Sequence, residues 1–395
     1  MHINNILKDP LKYKDYPPII SFPQLKQRTL KDGEIPQYVL DYCPVVYLYS
    51  EERYLPYDIQ QYVTNFNATY GNGTIIADNL TLKKLGKLPK SQDIYLSSLQ
   101  DFTKNPEWIT GLKNKPNLVN GEIKDAPATL IVVDKGNGWI DAYWFYFYSF
   151  NLGPFVMGQG PYGNHVGDWE HSLVRFYKGE PIIVWMSAHG GGGAFYYHNL
   201  EKYDDSNHPV IFSARGTHAN YPSVGQHPHD LPYGILSDFT DRGPLWNPSK
   251  NYLGYTFDGK RIYPTTKNAN SKHSGRELEY GNWLSYSGHW GDMKLDDNDP
   301  RQSYSFIGGT KYIDGPLGPL MKNLMRLKPC ERHKWWNFWD GCNVRENIKW
   351  GIGVESEGYN CGNMFINVKP KWIRNGLQRV TWGGGLCFIV DLIYG

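Results

Sequence analysis

The chain has 395 residues, and its 41 Lys and Arg against 39 Asp and Glu give a net charge of about +2 at neutral pH. This balance argues against nucleic acid as a partner, because bulk positive charge drives that binding. The chain contains 30 Tyr, 16 Phe, 14 Trp and 42 Gly within a hydrophobic fraction of only 40%. Aromatic side chains favour pleated sheets and glycine favours turns and bulges, so the composition disfavours a helical bundle and predicts a mainly β protein.

Residues 1–125 are predicted to form an N-terminal part that wraps around a larger β domain. Residues 1–37 contain five scattered prolines and little periodicity, which is typical of chain lying on a surface. Val45–Tyr49 has the apolar run of a buried strand, and Leu55–Val63 resembles a short helix with proline in its first turn. Residues 65–125 are polar and lysine-rich, so we expect an excursion with short helical pieces.

Three glycosylation sequons lie close together in that excursion, at Asn67, Asn72 and Asn79. Their clustering predicts a surface loop in a protein of the secretory pathway lumen, the vacuole or the extracellular space. The opening residues lack the apolar core of a secretory signal. We therefore expect that the natural protein has a signal or anchor segment not contained in this chain, and that membrane contact is made through that N-terminal segment.

Residues 126–320 carry the strongest strand signals and are predicted to form the core of an antiparallel β-sandwich with short helical insertions and long loops. The gaps between strands are too short for the helices that parallel pairing needs, so antiparallel pairing is expected. No apolar stretch approaches the roughly 18 residues that span a membrane. The predicted strands, including one near the C terminus, are Ala128–Val133, Trp139–Tyr148, Trp169–Tyr177, Pro181–Ser187, Pro209–Ala214 and Arg379–Tyr394.

Residues 321–395 are predicted to form an extension, rich in Cys and Trp, that closes the sandwich. Two readings of the cysteines remain open: two disulfides with one free thiol, or five buried thiols. The aromatic run Trp335–Trp339 either stacks on sugars or a membrane interface, or packs in the core of this extension. The five cysteines are Cys43, which stands alone, and Cys330, Cys342, Cys361 and Cys387.

The first element with chemistry is the motif His-x-x-Asp-x-Glu formed by His165, Asp168 and Glu170. Alternation along a strand places the two acids on one face, and a turn through Gly167 can bring the imidazole beside them. Two carboxylates and a histidine suit Mg²⁺, Ca²⁺ or Mn²⁺, with Zn²⁺ less favoured because the motif lacks thiolates and a second imidazole. Without a metal, the two acids would instead act as general acid and base.

The second element is a glycine loop that follows the next predicted strand, formed by Gly190, Gly191, Gly192 and Gly193. Such a loop lets a ligand approach the backbone closely and exposes N–H groups to an anion or a developing oxyanion. His189, which precedes the loop, is either a general acid or base or a structural histidine bonded to a turn carbonyl.

The third element, at the end of Pro209–Ala214, contains Arg215, His218 and Tyr221. Arg215 offers a forked donor for carboxylate or phosphate, and His218 a second imidazole. Three such elements at strand ends predict one shared cleft, with Asp168, Glu170, His189 and His218 as the candidate catalytic residues and the glycine loop, Arg215 and Tyr221 as ligand-binding residues.

Five segments together resemble the vacuolar protein sorting-associated protein 62 family of fungi and plants. The resemblance extends in order from Val45 to Pro319 and implies a role in delivering proteins to the vacuole. The fungal members resemble secretory-pathway proteins with an N-terminal hydrophobic segment. The segments are Tyr162–His171, Ser187–Gly190, Pro209–Pro222, Trp283–Gly291 and Gly315–Pro319.

The motif from His165 to Glu170 also resembles, more distantly, the Gly-His-Arg-His-Asp-Trp-Glu signature of necrosis-inducing secreted proteins. Those proteins are β-sandwiches that hold a divalent metal and bind sphingolipid sugar headgroups. The resemblance implies His165, Asp168 and Glu170 as metal ligands, with Asn151 near the position of an upstream aspartate ligand. This chain departs from the signature at Gly167, where that family has its second histidine.

Two functions remain open on these grounds. The first is a metal-dependent module that binds a glycan, a glycolipid headgroup or a small phosphate-bearing ligand and acts in sorting to the vacuole. The second is a hydrolase that uses metal-bound water on a glycosidic or phosphodiester bond. The carboxylates beside histidines favour the enzyme, whereas the lack of a complete catalytic signature favours the binding module.

Overall fold

The fold is taken from a computed structural model of the chain. It describes residues 12–19, 28–155, 160–228, 236–265, 276–305, 309–330, 342, 344–348, 372, 373 and 376. The predicted strand Arg379–Tyr394, the run Trp335–Trp339 and the cysteines at 361 and 387 lie outside these residues.

The largest element is an eight-stranded sheet whose centre is a meander of five consecutive antiparallel strands. The strands of the meander are β5 (Ala128–Gly136), β6 (Trp139–Asn151), β7 (His165–Tyr177), β8 (Glu180–Ala188) and β9 (Gly191–Tyr196). Three further strands complete the sheet at its edges: β15 (Tyr252–Phe257), β16 (Ile262–Pro264) and β17 (Val344–Arg345). The antiparallel β-sandwich predicted from the sequence is confirmed.

The central strand β6 is buried along its whole length. Alternate side chains enter two separate hydrophobic cores, one on each face of the sheet. Tyr143, Phe145 and Phe147 enter the first core, whereas the second core receives Tyr146 and Tyr148. This is why aromatic residues occupy both faces of the strand: neither face meets water.

A four-stranded sheet packs over the second core, and a two-stranded ribbon follows it in sequence. Its strands are β1 (Val45–Tyr47), β10 (Val210–Ser213), β11 (Asn220–Tyr221) and β14 (Leu245–Trp246); the ribbon is β12 (Gly225–Pro228) with β13 (Ser237–Thr240).

The expectation of antiparallel pairing holds for neighbouring strands and is wrong for three distant pairs. Strand β1 pairs with β10, β5 with β15 and β9 with β17 in parallel. Each parallel pair joins segments that are far apart in sequence, so the long intervening chain supplies the crossover that a short connection cannot.

The polar segment 65–125 is more ordered than the excursion predicted for it. It forms a third, antiparallel sheet of β2 (Phe66–Tyr70), β3 (Ile75–Ala77) and β4 (Ile94–Ser98). The physical reason is alternation, since Phe66 and Ala68 point into the first core while Asn67 between them remains partly exposed. Asn72 and Asn79 lie exposed beside the strands.

Helices are few and short in the described chain. The predicted helix at Leu55–Val63 is confirmed in part, because it begins only at Ile59, where the side chain of Asp58 accepts a hydrogen bond from the Gln60 amide and caps it. No helix of the described residues is long and apolar enough to cross a membrane. The α-helices are α1 (Gln37–Asp41), α2 (Ile59–Val63), α3 (Leu82–Leu85) and α4 (Arg276–Glu279).

A buried charge cluster ties the chain after residue 320 to the large sheet. Arg175 on β7 donates to both carboxylate oxygens of Asp141 on β6, at 2.7 and 2.8 Å. Lys135 lies 3.6 Å from the same carboxylate and donates to the Leu324 carbonyl at 2.6 Å. Burial lowers the pKa of Lys135 to about 8, although Asp141 opposes this shift. These contacts hold the first residues of the extension against the sheet.

A disulfide joins Cys330 and Cys342, so the reading in which all five cysteines are free thiols is wrong. Cys43 is a buried free thiol whose pKa burial raises. The division of the chain at residues 125 and 320 remains a prediction.

Candidate functional site

The His-x-x-Asp-x-Glu motif occupies the first half of β7, where an irregularity at Gly167 decides which way its side chains point. Gly167 has a φ of +71°, and a side chain there would overlap the Trp290 carbonyl oxygen. Val166 and Trp169 both pack in the first core, although they are three positions apart. The neighbours of these two residues, His165, Asp168 and Glu170, therefore share the opposite face.

His218 is the buried counter-charge of this face. Its ring is fully buried and stacks on Tyr148 with centroids 3.7 Å apart. Nδ1 lies 2.9 Å from Asp168 Oδ2, and Nε2 lies 3.0 Å from the Tyr54 carbonyl oxygen and 3.7 Å from Glu52 Oε1. Both ring nitrogens face acceptors, so the imidazole carries two protons and a positive charge.

The electrostatics agree with a charged His218. Burial by itself would lower the pKa of His218, but Glu52 and Asp168 outweigh it and raise the pKa to about 9. The pKa of Glu52 is lowered despite its burial, because His218 stabilises the carboxylate. Since an imidazolium has no lone pair to offer, His218 orients Asp168 and does not bind a cation itself.

Glu170 is held differently, by a hydroxyl on the neighbouring strand. The Ser187 hydroxyl on β8 donates a hydrogen bond to Glu170 Oε2. The same hydroxyl accepts a hydrogen bond from the His171 backbone amide at 2.9 Å. The Asn220 amide nitrogen lies 3.4 Å from the same hydroxyl, and the Asn220 amide oxygen is buried with no hydrogen-bond partner. Burial, reinforced by the charge of Asp168, raises the pKa of Glu170 to about 8.

His165 opens the strand, and its tautomer follows from one contact. Its Nδ1 lies 2.6 Å from the Gly167 carbonyl oxygen, so Nδ1 carries the proton and Nε2 keeps its lone pair. Burial lowers the pKa of His165, and the carboxylate of Asp168 opposes this shift. A neutral histidine of this tautomer is suited to bind a cation through Nε2.

This face contains oxygen atoms of the chemical type that hard divalent cations bind. One oxygen of Asp168 contacts His218, one oxygen of Glu170 contacts Ser187, and the Asn220 oxygen is buried with no hydrogen-bond partner. Oxygen-rich sets of this kind suit Mg²⁺, Ca²⁺ or Mn²⁺. Within the described chain, however, no three His, Cys, Asp or Glu side chains converge closely enough to form a metal centre by themselves.

A second cluster adjoins the first and centres on Asp238, a buried residue of β13. Its carboxylate lies 2.6 Å from His189 Nε2 and accepts hydrogen bonds from the Tyr221 hydroxyl at 2.7 Å and the Thr217 hydroxyl at 2.8 Å. Because Thr217 and His218 are consecutive, one turn links the two clusters. His189 also acts electrostatically on Glu170, so the clusters are neighbours.

The remaining predicted residues lie around these clusters. Gly190 is in the turn between β8 and β9, and Gly191–Gly193 pair with β8 as the start of β9. Arg215 is exposed, with its guanidinium 6.0 Å from the ring centre of Tyr49. Asn151 pairs with His165 across β6 and β7 and donates its amide to the Gly163 carbonyl at 3.0 Å.

Comparison with protein families identifies the chain. The family model described as vacuolar protein sorting-associated protein 62 matches residues 23–295. The chain belongs to this family.

Two yeast relatives extend this family match over nearly the whole chain. Vacuolar protein sorting-associated protein 62 of Saccharomyces cerevisiae is 48% identical over 406 residues, which cover 94% of this chain and 84% of the relative. A second vacuolar protein sorting-associated protein of the same yeast is 48% identical over 419 residues, 95% of this chain and 87% of its own length.

Solved structures are similar to this member of the family only at a low level. Necrosis and Ethylene inducing Protein 2 from the causal agent of cocoa's Witches Broom disease shares 14% identity at a TM-score of 0.24, covering 52% of this chain and 74% of its own. NLPPya in complex with mannosamine shares 10% identity at a TM-score of 0.25, covering 66% and 96%. Values this low carry no argument about the function of the vacuolar protein sorting-associated protein 62 family.

Several residues of the clusters are not singled out by the sequence, Thr217 among them. Glu52 lies more than 100 positions before Asp168, and only its place after an apolar strand singles it out. Ser187 and Asn220 lie inside motifs considered above, but small polar residues give no distinct signal. Asp238 lies in β13, where the polar Asp238 and Thr240 are buried and Phe239 is exposed, the reverse of what a hydrophobic pattern predicts.

Proposed function

We propose that this member of the vacuolar protein sorting-associated protein 62 family acts in protein sorting to the vacuole as a β-sandwich that binds a glycan or glycolipid headgroup through a divalent cation. The observation that carries the site is a pair of buried carboxyl groups on one face of β7, near a buried amide oxygen on β11 that has no hydrogen-bond partner. Asp168 and Glu170 are at most 9% exposed, and the Asn220 oxygen beside them has no donor. Buried acceptors without donors are costly, and a cation removes that cost.

The chain's own residues would divide the work of holding Mg²⁺, Ca²⁺ or Mn²⁺. Asp168 and Glu170 supply carboxylate oxygens, and Asn220 a neutral oxygen. His165 supplies Nε2, and His218 fixes the orientation of Asp168. Because few side chains converge, water or ligand hydroxyls must fill the rest of the coordination shell, and a sugar diol offers two such oxygens. The cation would link protein to glycan, with Arg215 and Tyr221 at the rim.

Binding is tested with a glycan array probed by the purified chain in Ca²⁺, Mg²⁺, Mn²⁺ or EDTA, followed by calorimetry on the best glycan. Asp168→Asn keeps the hydrogen bond to His218 and loses the charge. We expect it to weaken cation and glycan binding at least tenfold, an effect that EDTA reproduces in the unmutated chain. The matched control is Glu180→Gln, which removes an exposed carboxylate at the start of β8. Glycan binding that withstands both EDTA and Asp168→Asn would exclude the cation from the site.

The sorting role rests on the names of the two yeast relatives and on membership of the family. It would act in the secretory pathway lumen, the vacuole or outside the cell. The test expresses this chain, fused to a secretory signal peptide, in Saccharomyces cerevisiae that lacks the relatives, and measures the secreted fraction of a vacuolar hydrolase. We expect the unmutated chain, but not Asp168→Asn, to restore delivery. Equal delivery by the two proteins would separate sorting from the site.

The second candidate is a metal-dependent hydrolase of a glycosidic or phosphodiester bond, and the Asp238 cluster favours it. Asp238 holds His189 at 2.6 Å, as an orienting carboxylate holds a general base. Nitrophenyl glycosides and bis-nitrophenyl phosphate are suitable probes. A hydrolase requires turnover that falls at least 100-fold in His189→Gln with little change in KM. The absence of turnover on both probe classes together with cation-dependent glycan binding supports the binding module.

A further inference from the structure

The most exposed aliphatic side chains in the described part of the chain are two neighbours, Leu118 and Val119, which we call the apolar tip. They are 96% and 93% exposed, whereas Ile75 and Leu99, the next aliphatic residues, reach only 59%. Scattered exposed apolar residues are ordinary in proteins, but two consecutive ones in nearly full contact with water are not.

The loop holds the tip in place. The Val119 amide donates to Asn117 Oδ1 at 2.8 Å, and the Gly121 amide donates to the Asn117 carbonyl at 2.8 Å. At the base, the Asn247 amide donates to the Gly121 carbonyl at 2.8 Å. Ile123 is buried in the second core. These bonds fix the backbone of the loop in a conformation in which Leu118 and Val119 face the solvent.

Lysines flank the apolar tip in sequence. Lys113, Lys115 and Lys124 are exposed, and Leu112, which precedes them, is 50% exposed. Residues 111–125 contain these three lysines against Glu122 and Asp125, so the stretch has a net charge of +1. An apolar tip flanked by lysines matches the layers of an anionic membrane, in which charged headgroups overlie hydrocarbon.

We propose that the apolar tip inserts into the surface of an anionic lipid bilayer while the flanking lysines contact the headgroups. A protein partner fits less well, because stable interfaces bury about 800 Å² on each side and two side chains on a protruding turn offer far less. A bilayer needs no such area, since each buried CH₂ group contributes about 0.8 kcal/mol.

The tip lies apart from the site. At the base of the loop Gly121 contacts Asn247, which follows β14 beside the Val45 end of β1. Glu52, which contacts His218, follows the opposite end of β1, so the tip and the site do not share one end of this sheet. The lipid surface itself is independent of the cation and the glycan.

The test is cosedimentation of the purified chain with vesicles of phosphatidylcholine alone or mixed with phosphatidylserine. We expect binding to the mixed vesicles and a loss of at least about tenfold in the partition coefficient for Leu118→Ser with Val119→Ser, since burying each side chain is worth more than 1.4 kcal/mol. The matched control, Ile75→Ser, removes an exposed aliphatic side chain elsewhere and should bind normally. Lys115→Gln should weaken binding only to the mixed vesicles.

A second readout reports insertion directly. An environment-sensitive dye attached through Val119→Cys should shift to shorter wavelength on adding mixed vesicles, whereas the same dye at Ile75→Cys should not shift. Failure of the unmutated chain to sediment with either vesicle would overturn the proposal. Equal partition of the folded double variant would do the same, as would a dye at position 119 that stays in water when the chain is bound. Capture of a partner protein through the tip, without vesicle binding, would replace the lipid by that protein.

Discussion

Replacing Glu170 by Gln tests the electrostatics of the site in the absence of metal. The pKa of Glu170 is raised from 4.5 to about 8, mainly by burial and then by the charge of Asp168. The folded protein therefore holds a proton that the unfolded chain releases above pH 4.5, so the free energy of unfolding falls as pH rises through this interval. At about 1.4 kcal/mol per pKa unit the loss reaches about 5 kcal/mol by pH 8.

Glutamine keeps the shape and the acceptor for Ser187 but cannot ionise. Glu170→Gln should match the unmutated chain near pH 4.5 and exceed its stability by up to about 5 kcal/mol at pH 8. His218, with a pKa raised from 6.5 to about 9, contributes a loss of the same sign between those values in both proteins. The difference between the two proteins therefore isolates Glu170.

The measurement is urea unfolding in EDTA at intervals between pH 4.5 and 9, with Glu180→Gln as the control for the loss of a carboxylate. Parallel pH profiles of the unmutated chain and Glu170→Gln would refute the reasoning, because Glu170 would then be ionised in the folded state. Adding Ca²⁺ or Mn²⁺ should raise the stability of the unmutated chain at pH 8 and leave that of Glu170→Gln nearly unchanged.

Three further predictions follow from contacts elsewhere in the fold. Gly167→Ala should cost roughly 2–5 kcal/mol of stability in urea unfolding, because the new side chain meets the Trp290 carbonyl at a positive φ; a cost below 1 kcal/mol would contradict this. Arg175→Met should lower the free energy of unfolding by about 3–5 kcal/mol, because the buried carboxylate of Asp141 loses its main partner. Urea unfolding measures this loss too, and an unchanged stability would contradict the prediction. In a eukaryotic secretory host, peptide mapping should find glycan on exposed Asn72, and an unmodified Asn72 would argue against the lumenal location.

The sequence predicts the central strands well because their signal is local. The run Trp139–Tyr148 is aromatic on both faces, and only a strand covered on both sides accommodates that pattern. The polar, lysine-rich composition of residues 65–125 hides the third sheet, because β2 alternates polar and apolar residues and turns only one face to the core. Local patterns also do not reveal the three parallel pairs, since each depends on segments brought together by the rest of the fold.

The site is predictable to the extent that its residues are adjacent in sequence. His165, Asp168 and Glu170 form a compact motif, and the turn at Gly167 that puts them on one face is visible as a glycine within a strand. The partners that set their charge come from elsewhere. Glu52 makes His218 positive, and Ser187 engages Glu170, yet neither contact has a sequence spacing that announces it.

The position of β1 between β10 and β14 sets the order in which the protein can assemble during synthesis. Val45 pairs with Val210, 165 residues later, and Val46 pairs with Trp246 later still. At about 5–20 residues per second, the ribosome needs on the order of 10 s or more to deliver these partners. In the meantime the hairpins from β5 to β9 can form, because their strands are adjacent in sequence. The apolar run Val45–Tyr47 has no partner strand on either side until β10 and β14 are synthesised. During that interval, this short segment is where we expect a chaperone to bind the nascent chain.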